Sequence, residues 1–494
     1  MRIDPEVFAR QIYVSPAIAT DSYKPSHRVI YPPNAEYAES YFEARKTSRG
    51  LGNQYIDTLI AFGALNYLLP QTLRQVTMGD LDEAQEHWRD HFGTDAIFGK
   101  KDWEIIVNKY GGYMPLKVDA LPEGMPVPIN TMLMRVRNTD SHGLVWLPNW
   151  FETELSHMWY PVTVASISRQ GRDILLKWLN KTGDPSLIDF KLHDFGYRGA
   201  SSRESAMVGG LAHLVNFLGS DTSAALRIGR TLYKAGGNIG YSIPATEHST
   251  ITSWGRENEA LVYETVLDKY PTGLVACVSD SYNIYHACEY IWGELLRDKV
   301  LSRDGVLIIR PDSGVPRDVC LKVMEILGAK FGFTVNAKGY KVLHPKVRVI
   351  QGDGVDLDAI DDICEHLANH GWSIDNIAFG MGGGLLQKCN RDTFSFTFKM
   401  CYMAGLTPGI FGKRWERDVY KDPVDDQGKM SKRGRQVVVL NMDGEPITTT
   451  PFVAGSLPDI MRNVYLNGEF FNQDDMATIR ARARVLDEKI LKAA

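Results

Sequence analysis

The most regular part of the chain, between residues 186 and 392, repeats one pattern: a short apolar run, a polar or glycine-rich loop, then a helical pattern. In order, the runs and the loops after them are DFKL and HDFGYRG, GYSI and PATEHS, LVACV and SDSY, VLIIR and PDSG, VRVI and QGDGVD, and NIAF and GMGGG. Continuous apolar strands that alternate with helices indicate a parallel sheet covered on both faces. We therefore predict an α/β fold, an irregular β/α barrel, in preference to an open sheet.

Three segments between these runs carry the signals of helix ends. Residues 201–218 begin with serine and have an acidic residue in the first turn. Residues 317–328 and 356–371 both stop at a glycine, as helices often do. In such an alternation the loops after the strands gather at one rim, which is where the active sites of α/β proteins lie.

The two ends of the chain are less regular. Residues 1–185 are rich in aromatic residues and prolines, whereas residues 393–494 mix short strands such as TFSFTFKM and QVVVL with turns and finish in a helix, DDMATIRARARVLDEKIL. We predict that residues 1–185 and 393–494 together form a second, mixed α/β domain. Residues 186–392 then form the barrel-like catalytic domain.

Composition narrows the class of protein. A chain of 494 residues is too long for one ordinary core, and its net charge of -5 argues against a general nucleic-acid binder. The amino terminus lacks a basic segment followed by an apolar core, and no apolar run is long enough to span a membrane. The six cysteines include no CxxC pair. We expect a cytoplasmic protein that binds neither nucleic acid nor membrane.

Two glycine-rich loops are candidates for binding phosphate. QGDGVD occupies residues 351–356 and GMGGG occupies residues 380–384, each after a predicted strand. Glycine lets backbone N–H groups approach phosphate oxygens closely, and Asp353 between two glycines could hold ribose hydroxyls or a magnesium-bound water. The alternative is two tight turns without a ligand. Neither loop matches a known nucleotide fingerprint.

Basic residues lie at or near the same rim. They are Arg198, Arg310, Lys388, Arg391 and Lys399. Guanidinium groups bind phosphate oxygens in pairs, which favours a ligand with several phosphates. The alternative is that these residues form ordinary salt bridges with Asp194, Asp312 and Asp392.

A histidine and an aromatic residue complete the candidate chemistry. His248 follows Glu247 at the end of an apolar run, and Asp280 lies on the loop after the next run. A carboxylate fixes the tautomer of an imidazole and makes its other nitrogen a better nucleophile or base; a structural histidine is the alternative. Phe195 on the HDFGYRG loop could stack on a flat heterocycle, or it could simply pack in the core.

The segment KMSKRGR at residues 429–435 is similar to the KMSK loop of class I aminoacyl-tRNA synthetases. That loop works with an HIGH-type motif, which this chain lacks. We therefore interpret the segment as a basic loop that handles phosphate or is simply solvated.

Taken together, the motifs resemble those of the nicotinamide phosphoribosyltransferase family, within the type II phosphoribosyltransferases. In chain order they are ATDSYKPSH, SYFEARK, KLHDFGYRGASS, HLVNFLGSDT, GYSIPATEHSTITSWG, VSDSYNIY, LIIRPDSG, VIQGDGVD, NIAFGMGGGLLQKCNRD and YKDP. The resemblance implies an irregular β/α barrel beside a domain made from both chain ends. It also implies a homodimer with two active sites, each shared between the subunits.

The resemblance assigns residues to the pyridine base. It implies that Phe195 stacks on one face of nicotinamide and that Tyr23 from the other subunit stacks on the opposite face. Asp221, in GSDT, accepts the carboxamide N–H and selects amide over acid. Ser242, in GYSI, belongs to the same substrate site, whereas Ala276 stands where a serine is familiar in the family.

It assigns a larger set to phosphates and ribose. Arg198 and Arg310 meet the phosphates and the ring of the substrate, and Asp312 helps to fix the ribose and base. The residues that cradle the ribose 5-phosphate are Gly352, Asp353, Gly382 and Gly383. The partner subunit supplies Arg391 and Lys399. Thr397, which keeps the hydroxyl of a familiar serine, also belongs to the substrate site.

The resemblance also implies coupling to ATP. His248 is the residue that ATP phosphorylates, with Glu247 and Asp280 in support, and Lys421 and Lys429 match basic residues near the nucleotide phosphates. The implied reaction joins nicotinamide to the ribosyl group of phosphoribosyl pyrophosphate, with Mg²⁺ as cofactor, ATP as co-substrate and nicotinamide mononucleotide as product.

Two alternatives stay open. A nicotinate phosphoribosyltransferase would use the same chemistry, but the carboxylate of Asp221 would repel that of nicotinate. A nucleotide or phosphate sensor without catalytic activity could share the fold, but such a sensor need not keep His248, Asp280 and Asp312.

Overall fold

The computed structural model describes residues 14–48, 52–53, 55–63, 73–141, 143–409, 412–425 and 430–493. The chain divides into two compact units. The first unit comprises Met1–Thr47, Asp57–Val162 and Arg391–Asp475. The second unit comprises Ser48–Ile56, Thr163–Asn390 and Met476–Ala494.

This division differs from the predicted domain ranges, mainly because residues 163–185 and 476–494 group with the barrel-like unit; Ser48–Ile56 does so too, and residues 391–392 group with the first unit. Buried ion pairs within the second unit explain the difference. The guanidinium groups of Arg169 and Arg172 lie 2.6 and 2.8 Å from the carboxylate of Asp487, near the end of the chain. Sequence periodicity does not show such a pairing between distant helices.

The strands and helices are numbered here in chain order. The strands are β1 (Ala35–Glu43), β2 (Thr58–Ile60), β3 (Leu116–Ala120), β4 (Pro126–Pro128), β5 (Met132–Asn138), β6 (Leu192–Asp194), β7 (Gly219–Ser220), β8 (Thr272–Val278), β9 (Asp304–Arg310), β10 (Phe333–Val335), β11 (Lys341–Leu343), β12 (Val347–Gln351), β13 (Ile377–Met381), β14 (Thr397–Leu406), β15 (Arg414–Asp418), β16 (Val437–Leu440), β17 (Pro446–Thr449), β18 (Arg462–Leu466) and β19 (Glu469–Phe470).

The α-helices are α1 (Lys24–His27), α2 (Met78–Phe92), α3 (Lys100–Tyr110), α4 (Leu147–Trp150), α5 (Glu152–Ser156), α6 (Trp159–Thr182), α7 (Arg203–His213), α8 (Ser223–Leu232), α9 (His248–Thr252), α10 (Glu259–Lys269), α11 (Ile284–His286), α12 (Arg297–Ser302), α13 (Pro316–Phe331), α14 (Leu357–Asn369), α15 (Gly383–Leu386), α16 (Pro451–Ala454), α17 (Met476–Ala483) and α18 (Val485–Ala493). A π-helix, Ala287–Leu295, lies between α11 and α12. Within the described ranges, no helix is both long enough and apolar enough to cross a membrane.

The first unit is built on an antiparallel sheet. Its seven strands lie in the order β15-β14-β1-β5-β3-β18-β19. The central pair is β1 and β14, in which Tyr41 lies opposite Lys399 and Glu43 lies opposite Thr397. This register places two of the predicted site residues, Thr397 and Lys399, at alternate positions of one strand and so on one face of it.

The second unit contains a parallel sheet in the order β7-β6-β13-β12-β9-β8. The apolar runs of β8, β9, β12 and β13 were all expected from the sequence, and they form parallel pairs. Their inward residues, such as Val275, Ile309, Val349 and Phe379, are buried. The predicted α/β fold with an irregular barrel is confirmed.

The sequence GYSI, predicted as a regular strand, instead forms the irregular closure of the barrel. Tyr241 bridges to Gly219 of β7, while Ala245 bridges to Ala276 of β8. Residues 241–246 therefore contact both edge strands of the sheet with isolated bridges rather than a continuous ladder. Pro244 has no N–H to donate, although its carbonyl accepts from Ala276 at 2.9 Å.

Helix starts follow the expected chemistry at α7 and α14, whereas α13 runs on to Phe331, past its predicted end at Gly328. Ser202 caps α7 by accepting from the N–H of Ser205 at 3.0 Å, and Asp356 caps α14. The predicted C-terminal helix, by contrast, divides at Arg484 into α17 and α18. There the N–H of Asp487 bonds to the carbonyl of Arg484, three residues back rather than four.

Candidate active site

A cavity of about 460 Å³ opens in the second unit at the ends of the parallel strands. It is lined by Phe195, Tyr197, Arg198, Asp221, Ala245, Thr246, Glu247, Thr250 and Arg310. Five of these, from four separate loops, were singled out from the sequence. The lining combines two aromatic rings, two carboxylates and two guanidinium groups, which suits a ligand with both a flat ring and phosphates.

Asp221 follows β7 and presents its carboxylate at the cavity wall. Its backbone N–H bonds to the carbonyl of Asp194 at 2.9 Å. The hydroxyl of Ser242 donates to Oδ1 of Asp221 at 2.6 Å. The other oxygen, Oδ2, accepts no hydrogen bond from any residue that the structure describes. The carboxylate is therefore oriented on one side and open to an N–H donor on the other.

Phe195 is half-buried, and glycine backbone and a guanidinium group fix its ring. A Cβ at Gly380 would lie 2.0 Å from Cε2 of Phe195, and a Cβ at Gly352 would lie 3.1 Å from it. The guanidinium carbon of Arg310 lies 5.8 Å from the ring centroid. Any side chain at Gly380 would displace the ring, so the ring depends on a glycine in the next strand.

His248 begins α9 and joins a chain of polar contacts to Arg310. Its Nε2 lies 3.0 Å from Oδ1 of Asp280. The other oxygen of Asp280 accepts from the N–H of Asp312 at 3.1 Å, and Asp312 forms a 2.8 Å ion pair with Arg310. The side chain of Asp280 is 3% exposed and that of His248 is 47% exposed. Asp280 thus orients the imidazole and leaves Nδ1 as the nitrogen available for chemistry.

The structural role of Glu247 differs from the predicted one. Its carboxylate accepts from the hydroxyl of Ser249 and from the N–H of Thr250, and so caps α9. The hydroxyl of Thr250 accepts in return from the N–H of Glu247 at 3.2 Å. Glu247 therefore fixes the start of the helix that carries His248 rather than bonding to the imidazole.

The two glycine-rich loops follow β12 and β13. Gly354 has a φ of +65°, which disfavours side chains there. A Cβ at Gly383 would meet nothing within 4 Å, so open space lies beside this backbone. Asp353 is exposed, and its carbonyl accepts from the amide of Gln351 at 2.7 Å. Gly382 precedes Gly383 at the start of α15.

The salt-bridge alternative holds for some of the basic residues only. Arg310 pairs with Asp312 at 2.8 Å, and Arg391 lies 3.4 Å from Asp392. Arg198 is exposed at the cavity wall and has no ion pair with any residue in the described ranges. A guanidinium group without a carboxylate partner, placed in a cavity, favours the phosphate interpretation for Arg198.

The remaining predicted site residues belong to the first unit. Tyr23 is 56% exposed, and its ring lies 4.9 Å from that of His27. Lys399 is half-buried on β14, where burial lowers the pKa of its ammonium and the nearby cations Arg45, Lys24 and Arg391 lower it further, against Glu152.

Two further lysines were predicted near phosphates. Lys421 is exposed, and its backbone N–H donates to the hydroxyl of Ser431 at 2.8 Å, so the YKDP and KMSKRGR segments are joined. Lys432 of the second segment forms an ion pair with Glu43. Lys429 lies outside the described residues.

Arg45, in SYFEARK, was not singled out from the sequence. Its Nε and Nη2 are buried without a hydrogen-bond acceptor among the described residues, and Nε lies 3.9 Å from Glu43. Arg45 also lies close enough to Lys399 to lower its pKa. A buried guanidinium group with unused donors near other cations is what a phosphate site requires. The SYFEARK motif was the only signal in the sequence.

Comparison with known proteins first defines the class. The model of the nicotinate phosphoribosyltransferase (NAPRTase) family matches residues 190–469, and that of the nicotinamide phosphoribosyltransferase N-terminal domain matches residues 15–118. The fold is similar to the crystal structure of nicotinate-nucleotide pyrophosphorylase from Pyrococcus furiosus, with a TM-score of 0.55 and 14% identity over 99% of this chain and 98% of that one. Fold and site together define a phosphoribosyltransferase.

Curated relatives then identify the branch. A nicotinamide phosphoribosyltransferase of Xanthomonas campestris is 42% identical over 474 residues, which cover 94% of this chain and 97% of the relative. Another, of Acinetobacter baylyi, is 30% identical over 95% of this chain and 97% of its own length. The chain belongs to the nicotinamide phosphoribosyltransferase family.

Proposed function

We propose that this protein transfers the 5-phosphoribosyl group of phosphoribosyl pyrophosphate to nicotinamide, giving nicotinamide mononucleotide and pyrophosphate for the synthesis of NAD. The observation that carries the proposal is the oriented carboxylate of Asp221, which lines the same cavity as the Phe195 ring. A stacked pyridine with a carboxamide would find both an aromatic face and an acceptor in that cavity.

The charge of Asp221 favours nicotinamide over nicotinate. A carboxamide N–H can donate to the open Oδ2 in a charge-assisted hydrogen bond. A nicotinate carboxylate would bring like charge against Asp221, at a cost of several kcal/mol. Nicotinate phosphoribosyl transfer is the alternative function, and this repulsion disfavours it.

The phosphates of the second substrate have donors in the same unit. Arg198 offers a guanidinium group without an ion pair in the described ranges, and Arg310 is held by Asp312 at the cavity wall. The backbone at Gly383, where a Cβ would meet nothing within 4 Å, leaves room for a phosphate after β13, and Gly352 and Gly382 are the other glycines assigned to it. In this proposal Asp312 also binds the ribose.

Mg²⁺ enters the proposal as the ion that accompanies pyrophosphate. Among the described residues, no group of three or more histidine, cysteine, aspartate or glutamate side chains could hold a metal ion. Mg²⁺ is commonly held by one or two carboxylates together with substrate phosphates and water. The exposed carboxylate of Asp353 fits that mode, through a water, and the ion would neutralise charge on the leaving pyrophosphate.

The bond exchange follows from these positions. The bond between C1 of the ribose and pyrophosphate breaks, its electron pair leaves with pyrophosphate, and positive charge develops on the sugar. Arg198 and Arg310 stabilise the charge on the departing group. Phe195 and Asp221 hold the pyridine nitrogen of nicotinamide in line, where its lone pair forms the new bond to C1.

We include ATP as co-substrate in the proposal. The terminal phosphoryl group would pass from ATP to Nδ1 of His248 with release of ADP, because Nε2 is occupied by Asp280. Lys421 and Lys429 would meet the nucleotide phosphates. The contacts from His248 through Asp280 and Asp312 to Arg310 connect this histidine to the substrate cavity.

The proposal also includes a homodimer in the cytoplasm with two shared active sites. Closed two-fold symmetry produces two equivalent sites when each subunit contributes to the other. The residues assigned to the partner's site are Tyr23, Arg391 and Lys399. The exposed ring of Tyr23 and the group of cations around Lys399 support such a contribution.

The experiment is a product assay with phosphoribosyl pyrophosphate, Mg²⁺ and either nicotinamide or nicotinate, with and without ATP. Nicotinamide mononucleotide should form much faster than the nicotinate product, and ATP should increase the yield. Formation of the nicotinate product alone would establish the alternative. Binding of phosphoribosyl pyrophosphate without any product would indicate a sensor instead of an enzyme.

A further inference from the structure

Asp194, at the end of β6, is a carboxylate buried without a cation. Its residue exposure is 0%, and it forms no ion pair with any residue in the described part of the chain. Burial raises the pKa of Asp194 to about 6. Burying a carboxylate without a charged partner destabilises the folded protein unless its oxygens accept hydrogen bonds. The hydrogen bonds that Asp194 accepts must therefore offset that cost.

The two carboxylate oxygens of Asp194 hold two different turns. Oδ1 accepts from the N–H of Gly196 at 2.7 Å, and Gly196 directly follows Phe195. Oδ2 accepts from the hydroxyl of Ser220 at 3.3 Å, and Ser220 directly precedes Asp221. One side chain therefore contacts both the turn that carries the aromatic wall and the turn that carries the acidic wall of the cavity.

Further contacts tie Asp221 to the same point. The oxygen of Ser220 accepts from the N–H of Thr222 at 3.1 Å, and the carbonyl of Asp194 accepts from the N–H of Asp221 at 2.9 Å. Asp221 is thus fixed at its own N–H and at both of its neighbours. Every one of these contacts leads back to Asp194.

The packing around Asp194 leaves little room for it to move. A Cβ at Gly210 of α7 would lie 2.9 Å from Oδ2 of Asp194. A Cβ at Gly196 would lie 2.6 Å from Cγ of Leu386. Glycines at both positions let the helix and the turn close around the carboxylate, so its geometry is set by the fold.

We propose that Asp194 is a positioning residue for the pyridine base, and that its carboxylate sets the distance between the Phe195 ring and the Asp221 carboxylate. This inference rests on the proposed function of the cavity. An aspartate suits the task because it has two acceptor oxygens for two donors. Asparagine has one oxygen, and its NH₂ group would face the N–H of Gly196 or the hydroxyl of Ser220.

The test compares Asp194→Asn and Ser220→Ala with the wild-type protein, with KM for nicotinamide, KM for phosphoribosyl pyrophosphate and kcat measured separately. We expect the KM for nicotinamide to rise about tenfold in Asp194→Asn and less in Ser220→Ala. The KM for phosphoribosyl pyrophosphate should stay near the wild-type value. The double variant should be no worse than Asp194→Asn, because both changes break one connection.

A merely structural role would give a different pattern. If Asp194→Asn lowers kcat and the folded fraction while leaving KM for nicotinamide unchanged, the positioning role is wrong. If the two variants are additive, Ser220 does not act through Asp194. Ser220→Ala removes a single buried hydroxyl and leaves the carboxylate of Asp194 in place, so it tests the proposal even where Asp194→Asn fails to fold.

The proposed function can fail separately from this inference. If the wild-type protein uses nicotinate, the proposed function is wrong. The effect of Asp194→Asn on the KM for nicotinate then tests the positioning role of Asp194. A rise in the KM for nicotinate without a rise in the KM for phosphoribosyl pyrophosphate would still support the positioning role. Equal rises in both KM values would overturn it.

Discussion

The hydroxyl of Ser242 donates a 2.6 Å hydrogen bond to Oδ1 of Asp221, and the two residues reach each other from separate segments of the barrel closure. Ser242 follows Tyr241, which bridges to Gly219 of β7, while Asp221 follows β7 itself. The irregular backbone at residues 241–246 therefore places a hydrogen-bond donor beside the carboxylate that we propose selects the base.

Removal of that donor should weaken nicotinamide binding. In Ser242→Ala we expect the KM for nicotinamide to rise roughly three- to tenfold, since a hydrogen bond to a charged acceptor is lost and the carboxylate is free to turn. The kcat should change little. Ser302→Ala is the matched control, because its exposed hydroxyl donates to the carbonyl of Lys299 on α12 and, among the described residues, to nothing else. Equal rises in the KM for nicotinamide in Ser242→Ala and Ser302→Ala would contradict the role given to Ser242.

His248 should couple ATP rather than perform the bond exchange. His248→Ala should abolish ATP hydrolysis and the acid-labile phosphoprotein, yet retain some transfer at high substrate concentration. Asp280→Asn should slow phosphorylation without removing the nucleophile, because the imidazole loses its orienting carboxylate. Labelling with ATP that carries a radioactive terminal phosphate measures both effects. Stable phosphoprotein in the His248→Ala variant would show that another residue is modified.

The buried charge of Asp194 should appear in the pH dependence of stability. Its pKa is raised from 3.8 to about 6 in the folded protein, so the folded state binds the proton more tightly than the unfolded state does. The contribution of Asp194 to stability therefore falls as pH rises from about 4 to about 6, by up to about 3 kcal/mol, and stays at the lower level above that range.

Asp194→Asn should lack this pH-dependent loss. The difference in free energy of unfolding between the variant and the wild-type protein, measured with urea, should shift in favour of the variant as pH rises through the same range. The variant should nevertheless bind nicotinamide less well. A variant that is less stable by the same amount at pH 4.5 and pH 7 would contradict the assigned pKa. Glu445→Gln, an exposed acid in a turn of the first unit, serves as the control.

Shared active sites can be tested by mixing two inactive variants. Arg198→Ala and Arg391→Ala should each be nearly inactive, because a phosphate loses its cation. Refolded together in equal amounts, half of the dimers are mixed, and each mixed dimer has one site with both changes and one with neither. Roughly a quarter of all sites should then be intact. Activity that stays at the level of the single variants, with mixed dimers present, would contradict the shared-site arrangement.

The sequence predicted the repeating strands of the barrel correctly. It did not predict the segments whose backbone geometry is irregular. The apolar runs of β8, β9, β12 and β13 are continuous, so their parallel pairing was foreseeable. β7 has two residues and no apolar run, and GYSI has the apolar character of a strand but forms only isolated bridges. Tertiary contacts decide such short segments, and no local pattern reveals them.

The site shows a similar limit. Phe195, Arg198, Asp221, Glu247 and Arg310 were singled out from the sequence, and the structure gathers them in one cavity. The contacts within the site were less predictable, because Glu247 caps a helix and Asp194 has no salt bridge among the described residues. Whether an acid binds a cation, an N–H or a hydroxyl depends on the fold around it, which composition and spacing do not contain.

The most direct test of the account is a competition assay with nicotinamide and nicotinate at equal concentration in one tube, for the wild-type protein and for Asp221→Asn. The wild-type protein should form almost only nicotinamide mononucleotide. The variant should lose nicotinamide turnover and shift the product ratio toward nicotinate mononucleotide, because the repulsion between carboxylates is gone. A wild-type preference for nicotinate, or a product ratio that does not move in the variant, would contradict the central claim.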